Sequence, residues 1–151
     1  MSSEEKDIFF ATSFSGHVDY ETNEVHFNFR QRIEGLLSAL RDVGGFAVYC
    51  SVEAEGWKIS QQKPGVSMTN NFANIEDRPI FLALVDAVGS DGRGIEVEHA
   101  YGSGKRVFLT TGPEEKLRWV MKEIVAMGIA EYIPYEEPEE LAKELNRKIE
   151  A

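Results

Sequence analysis

The sequence predicts an α/β fold: a parallel sheet of about five strands, covered by helices on both faces, in a single domain. Three observations predict it. Short apolar runs recur along the chain, and they are continuous rather than alternating, as in strands buried on both faces. Amphipathic segments separate them, and parallel strands need such crossovers. The chain has 151 residues, 42% hydrophobic and 28% charged, which suits one soluble domain with a sizeable core.

The elements follow in order. Residues 7–14, "DIFFATSF", open as an apolar run and end in small hydroxyl residues, the pattern of a buried strand entering a loop. From 28 to 43, apolar residues recur at Phe29, Ile33, Leu36, Leu37 and Leu40 before Gly44-Gly45, predicting a helix with a glycine stop. "FAVYC" (46–50), "IFLALV" (80–85) and "RVFLT" (106–110) read as three further strands. Helical patterns at about 67–77 and 93–102 are short crossovers. Leu117, Val120, Met121, Ile124 and Val125 mark a helix before Gly128, "EYIPY" a weak last strand, and Leu141, Leu145 and Ile149 a terminal helix. The order is Rossmann- or flavodoxin-like. Ligands of such folds bind beyond the carboxyl ends of the strands, here the loops from Thr12, Ser51, Asp86 and Thr110. Two long loops, about 15–27 and 51–66, are candidate lids.

Composition narrows the function. A net charge of -10 argues against a nucleic-acid polymer as partner, because phosphate tracking needs clustered Lys and Arg. Cys50 is the single cysteine, so no internal disulfide and no multi-cysteine zinc site can form, and a reducing, cytoplasmic location is expected. The start, "MSSEEKD", is acidic, and no apolar stretch reaches 18 residues, so no membrane partner is expected.

The stretch "GRGIEVEHAYGSGKRV" (92–107) concentrates candidate chemistry. Glu96 and His99 share a helical face, as in carboxylate-bridged metal sites. Those sites need a second such pair, which the chain lacks, so no metal is expected and His99 reads as a helix-surface or partner-facing residue. Glu96 follows strand 80–85 and the small-residue loop "DAVGSDGRG", where Gly92 lets a ligand approach the backbone. In the first turn of a helix, free N–H groups and the helix dipole favour an ionised carboxylate and can receive a phosphate. A carboxylate held beside a sugar can attack its anomeric carbon. The same position also suits a glutamate that only complements the dipole.

"IFFATSF", "SDGRGIEVEHA" and "GKRVFL", in this order and spacing from about residue 7 to 110, resemble the nucleoside 2-deoxyribosyltransferase superfamily. "WKIS" (57–60) adds a likeness to its nucleoside 5'-monophosphate N-glycosidases, the CMP hydrolase-like members. The resemblance implies one such domain over 1–151, with Glu96 as nucleophile. Ser13 and Ser90 match serines that bind a 5'-phosphate; in transferases acting on free nucleosides, the Ser90 position is commonly acidic and holds the 5'-hydroxyl. Phe9 resembles the position of a tyrosine in deoxyribose-selective members, and its missing hydroxyl leaves room for a ribose 2'-OH. Trp57 is the candidate to stack on a base, whereas Trp119 reads as core or interface packing.

The chain also departs from the pattern. Asn71 stands where the family usually has an aspartate that helps position or protonate the base. Glu98 replaces a glycine, Arg78-Pro79 the usual Ala-Asp, and Ser15 an arginine of some monophosphate hydrolases. The expected function is hydrolysis of the N-glycosidic bond of a nucleoside 5'-monophosphate, a pyrimidine ribonucleotide such as CMP, without a metal or organic cofactor. The alternatives are a nucleoside 2-deoxyribosyltransferase exchanging bases and a non-catalytic nucleotide-binding module. By resemblance the chain assembles as a homodimer or higher homo-oligomer.

Overall fold

The computed structural model describes residues 3–12, 15–58, 65–86 and 91–151, with the backbone alone at 3, 4, 15, 91 and 92. In chain order the elements are β1 (Asp7–Thr12), a hairpin of β2 (Val18–Asp19) and β3 (Glu24–Val25), α1 (Phe27–Ser38), β4 (Ala47–Cys50), α2 (Ser51–Ala54), α3 (Val66–Glu76), β5 (Ile80–Leu84), α4 (Asp91–Gly102), β6 (Arg106–Thr111), α5 (Trp119–Ala126), β7 (Glu131–Pro134) and α6 (Pro138–Glu150). Five strands form one sheet in the order β4-β1-β5-β6-β7, every pairing parallel. The sequence expectation of a parallel α/β sheet is met.

Alternation along the strands sends side chains to two cores. Ile8 and Phe10 of β1, Leu82 of β5 and Phe108 of β6 pack with Phe29, Ile33, Leu36 and Leu37 of α1 and with Leu141 and Leu145 of α6. Phe9, Phe81, Ala83 and Leu109 face the opposite side, with Ile75 of α3, Val97 and Ala100 of α4 and Met121 of α5. Continuous burial of β5 follows from having a helical layer on each side. That is why "IFLAL" shows no alternation.

The chain leaves β1 towards β4, then returns across it to β5, β6 and β7. The reversal puts a crevice between the carboxyl ends of β1 and β5, the position where ligands bind in open α/β sheets. Thr12 pairs with Leu84 at that edge, and Leu84 with Thr110.

The long loops carry more structure than their sequence reveals. The first contains the β2–β3 hairpin, whose two-residue strands are too short to leave a periodic signature. The second begins with α2 and reaches Lys58, which bridges Glu24, while the Val25 amide donates to the Trp57 carbonyl at 2.9 Å. The two candidate lids are thus tied to one another. The helix predicted over 28–43 is α1 followed by a wider π turn at Ala39–Val43. No helix among the described residues is long and apolar enough to cross a membrane.

Candidate active site

Helix α4 divides its residues among three surroundings. Arg93, Val97 and Ala100, at i, i+4 and i+7, are buried towards the sheet, while Ile95 and Tyr101 are exposed. Glu96 and His99 lie between these faces and meet α3, because α3 and α4 follow parallel strands and pack side by side. The Asn71 amide of α3 donates to the Glu96 carboxylate. Further along the same seam, the His99 ring stacks on Phe72 with centroids 4.0 Å apart and its Nε2 lies 3.1 Å from Glu76. Glu96 and His99 therefore have separate partners. No group of three His, Cys, Asp or Glu residues that could hold a metal occurs among the described residues.

Burial raises the Glu96 carboxyl from 4.5 to about 7, against the opposing pull of the Asn71 hydrogen bond and the positive charge of Arg93. A carboxylate kept partly dry and fixed by one donor is a better nucleophile than a solvated one, and such perturbed groups concentrate at functional sites. The arrangement costs stability. Between about pH 4.5 and 7 the folded chain holds a proton that the unfolded chain has released, so stability falls as pH rises through that window. Glu96→Gln should remove this slope and make the protein more stable than the parent at pH 8, by on the order of 1–3 kcal/mol, with little difference near pH 4.5. Denaturant unfolding of both proteins at the two pH values checks this; an equal pH dependence would contradict it.

A second polar group lies at the same sheet edge. Asp86, two residues beyond β5, is 4% exposed, and Arg93, in the first turn of α4, is 5% exposed. Arg93 Nη1 donates to the Leu84 carbonyl at 3.1 Å and stands 3.7 Å from Asp86. His17, from the first long loop, approaches Asp86 from the other side at 2.8 Å, its ring stacked on Phe29 of α1. Thr12 Oγ1, Thr110 Oγ1 and Arg93 Nε are buried there without a hydrogen-bond partner, an uncommon concentration, since buried polar atoms are nearly always satisfied.

The other sequence candidates fall in different places. Phe9 is 1% exposed, stacked on Phe81 and tilted against Tyr49, each with centroids 5.7 Å away. It lies in the core that α3 and α4 cover. Trp57 lies in the opposite core, only 8% exposed. Its backbone takes a left-handed φ of 64°, its amide donates to the Val52 carbonyl at 2.9 Å, and the Arg30 guanidinium covers its ring at 5.1 Å. An indole so placed is packing in this conformation. Gly92 belongs to the first turn of α4. Ser13 and Ser90 lie outside the described residues.

Two readings sharpen. Trp119, expected to pack in the core or an interface, is not in the core: it is 73% exposed at the start of α5, because that helix begins at Trp119 and turns Met121 inward instead. Arg78, noted only as a departure, has structural work: it pairs with Asp7 at 3.1 Å and covers Tyr49 at 4.7 Å.

No family model matches the chain, and no curated protein matches it. Comparison of folds does find similar structures. The CMP N-glycosidase BcmB of Clostridium botulinum superposes with a TM-score of 0.63 over 94% of this chain and 99% of its own, at 19% identity. The chain shares its fold with a CMP N-glycosidase. BlsM, known from its solution structure, gives a TM-score of 0.74 over 98% and 93% of the two chains at 18% identity. A conserved protein from Enterococcus faecalis V583 gives 0.63 over 94% and 98% at 14% identity.

His17, Asp86 and Arg93 were not singled out by sequence reasoning as a site. Two signals were present. A charged residue directly after a fully apolar strand, as in "IFLALVD", has to be partnered, and an arginine between two glycines at a helix start is held close to backbone. The pairing of His17 with Asp86, 69 residues apart, left no local trace.

Proposed function

We propose that this protein is an N-glycosidase that hydrolyses a nucleoside 5'-monophosphate, a pyrimidine ribonucleotide such as CMP. The observation that carries the reading is the half-buried Glu96 carboxyl, held by Asn71 on the helix that follows β5, at the sheet reversal. The fold shared with BcmB supports it.

In the proposed reaction the Glu96 carboxylate attacks C1', the C1'–N bond breaks, and the bonding pair leaves with the base, which takes up a proton. Water then attacks C1' of the glycosyl ester, returning Glu96 as carboxylate and releasing ribose 5-phosphate. Ser13, Ser90 and the Gly92 backbone would receive the 5'-phosphate at the start of α4, where free amides favour an anion. Trp57 can stack on a base only if Arg30 leaves its ring and the joined loops open. Incubating the protein with a panel of nucleotides and nucleosides and measuring free base tests the reading; cleavage of none would overturn it.

Phe9 permits a separate test. Phe9→Tyr should lower the ratio of CMP to dCMP cleavage if the ring edge faces the sugar, because the added hydroxyl then occupies the space of the 2'-OH. A ring that serves only as core should lose both activities together, since a buried hydroxyl without a partner costs about 1–3 kcal/mol. kcat/KM for both substrates separates the two.

One observation favours a second reading. The Asn71 amide hydrogen-bonds Glu96 but has no acidic proton to give a departing base, which suits a nucleotide-binding module that does not turn over. Tight CMP binding without base release would select it.

A further inference from the structure

Asp86 and Arg93 are the charged residues that are fully buried among those described, and a buried pair is a poor source of stability. Withdrawing both ions from water costs more than their attraction returns unless the geometry is excellent. Here the separation is 3.7 Å, and Arg93 Nε is left without a partner. What the pair does achieve is placement. Arg93 is tied to the end of β5 through the Leu84 carbonyl, so the start of α4 is fixed to the sheet three residues before Glu96, and its charge is felt at the Glu96 carboxyl.

We propose that Arg93 is a positioning residue for Glu96: clamped by Leu84 and Asp86 under the first turn of α4, it fixes that turn and holds a positive charge beside the carboxylate. This rests on the reading of Glu96 as nucleophile, but its consequence can be measured without turnover. His17 completes the clamp by holding the far side of Asp86, which joins the first long loop to the same anchor.

Among the described residues, the surrounding charges leave Arg93 as the cation acting on Glu96. From α4 itself, Glu98 is exposed, and His99 is engaged with Glu76 of α3; Asn71 of α3 is neutral. Asp7 of β1 and Arg106 of β6 begin their strands, at the opposite edge of the sheet, where they pair with Arg78 and Glu131. Arg118, preceding α5, acts on Arg93 as a like charge. Beyond β5, Asp86 and His17 are the clamp.

The test is a carboxyl NMR titration of the full chain labelled with [13C]glutamate, with the Glu96 signal assigned by its loss in Glu96→Gln. Removing the cation in Arg93→Met should raise the Glu96 midpoint by at least half a pH unit, and Arg93→Lys should restore most of the shift. Asp86→Asn, which relieves Arg93 of its counter-charge, should move the midpoint the opposite way. A purely structural role would shift Arg93→Met and Asp86→Asn in one direction, or neither, and either result overturns the proposal. If Arg93→Met does not fold, as judged by circular dichroism, the other two variants decide: an Asp86→Asn midpoint that stays or rises overturns the clamp. Opposite shifts in a protein that releases no base from any nucleotide would support the clamp and overturn the proposed function.

Discussion

Glu96→Ala is expected to reduce release of free base from CMP by about a thousandfold or more, the scale on which removing a covalent nucleophile acts, while CMP still binds. The two effects separate because in the proposed reaction Glu96 attacks the anomeric carbon, whereas the proposed phosphate contacts are Ser13, Ser90 and the start of α4. Stability works in the same direction as this test. Removing a carboxyl that burial has pushed to about 7 should leave the variant at least as stable as its parent at neutral pH, so lost turnover would not be lost folding. Single-turnover assays with a parallel binding titration check the expectation. Near-normal base release would remove Glu96 as nucleophile. Glu98→Gly, on the exposed face of the same helix, should leave turnover unchanged.

CMP is expected to be cleaved at least tenfold faster than cytidine, with the advantage collapsing when Ser13 and Ser90 are both changed to Ala. A hydrogen bond to a charged group contributes about 1.5–3 kcal/mol, so each serine should be worth roughly tenfold or more in kcat/KM for the monophosphate. Cytidine has no phosphate to lose and should respond little to either change. Equal rates on CMP and cytidine would contradict the phosphate assignment and favour a nucleoside substrate.

The layered fold was legible because its strands are buried on both faces. "IFFA" and "IFLAL" are apolar at every position, and each is followed by a helical pattern of the right length for a crossover. What was not legible depended on distance along the chain. The β2–β3 hairpin has strands of two residues, below any period. Trp57 reads as an aromatic displayed on a loop, yet the backbone bond from Val25 and the cover from Arg30 draw it into the core. At the site, Glu96 was visible from its place after a glycine-rich loop, and Asn71 was flagged through family resemblance. The hydrogen bond between them, 25 residues apart in sequence, is formed only when α3 and α4 pack. The clamp of His17, Asp86 and Arg93 joins a loop, a strand end and a helix start, so composition and spacing could not reveal it.

The central claim is that Glu96 becomes covalently attached to the sugar. A fluorine on C2', with the ribose hydroxyl removed, withdraws electrons from the oxocarbenium-like transition state, slowing release of the intermediate and allowing it to accumulate. Incubation with 2'-deoxy-2'-fluoroarabino-CMP, followed by intact-mass measurement and peptide mapping, should find one fluorinated sugar phosphate per chain, esterified to Glu96 and absent from Glu96→Gln. Base release from this analogue with Glu96 unmodified throughout, or an adduct on another residue, would contradict the account.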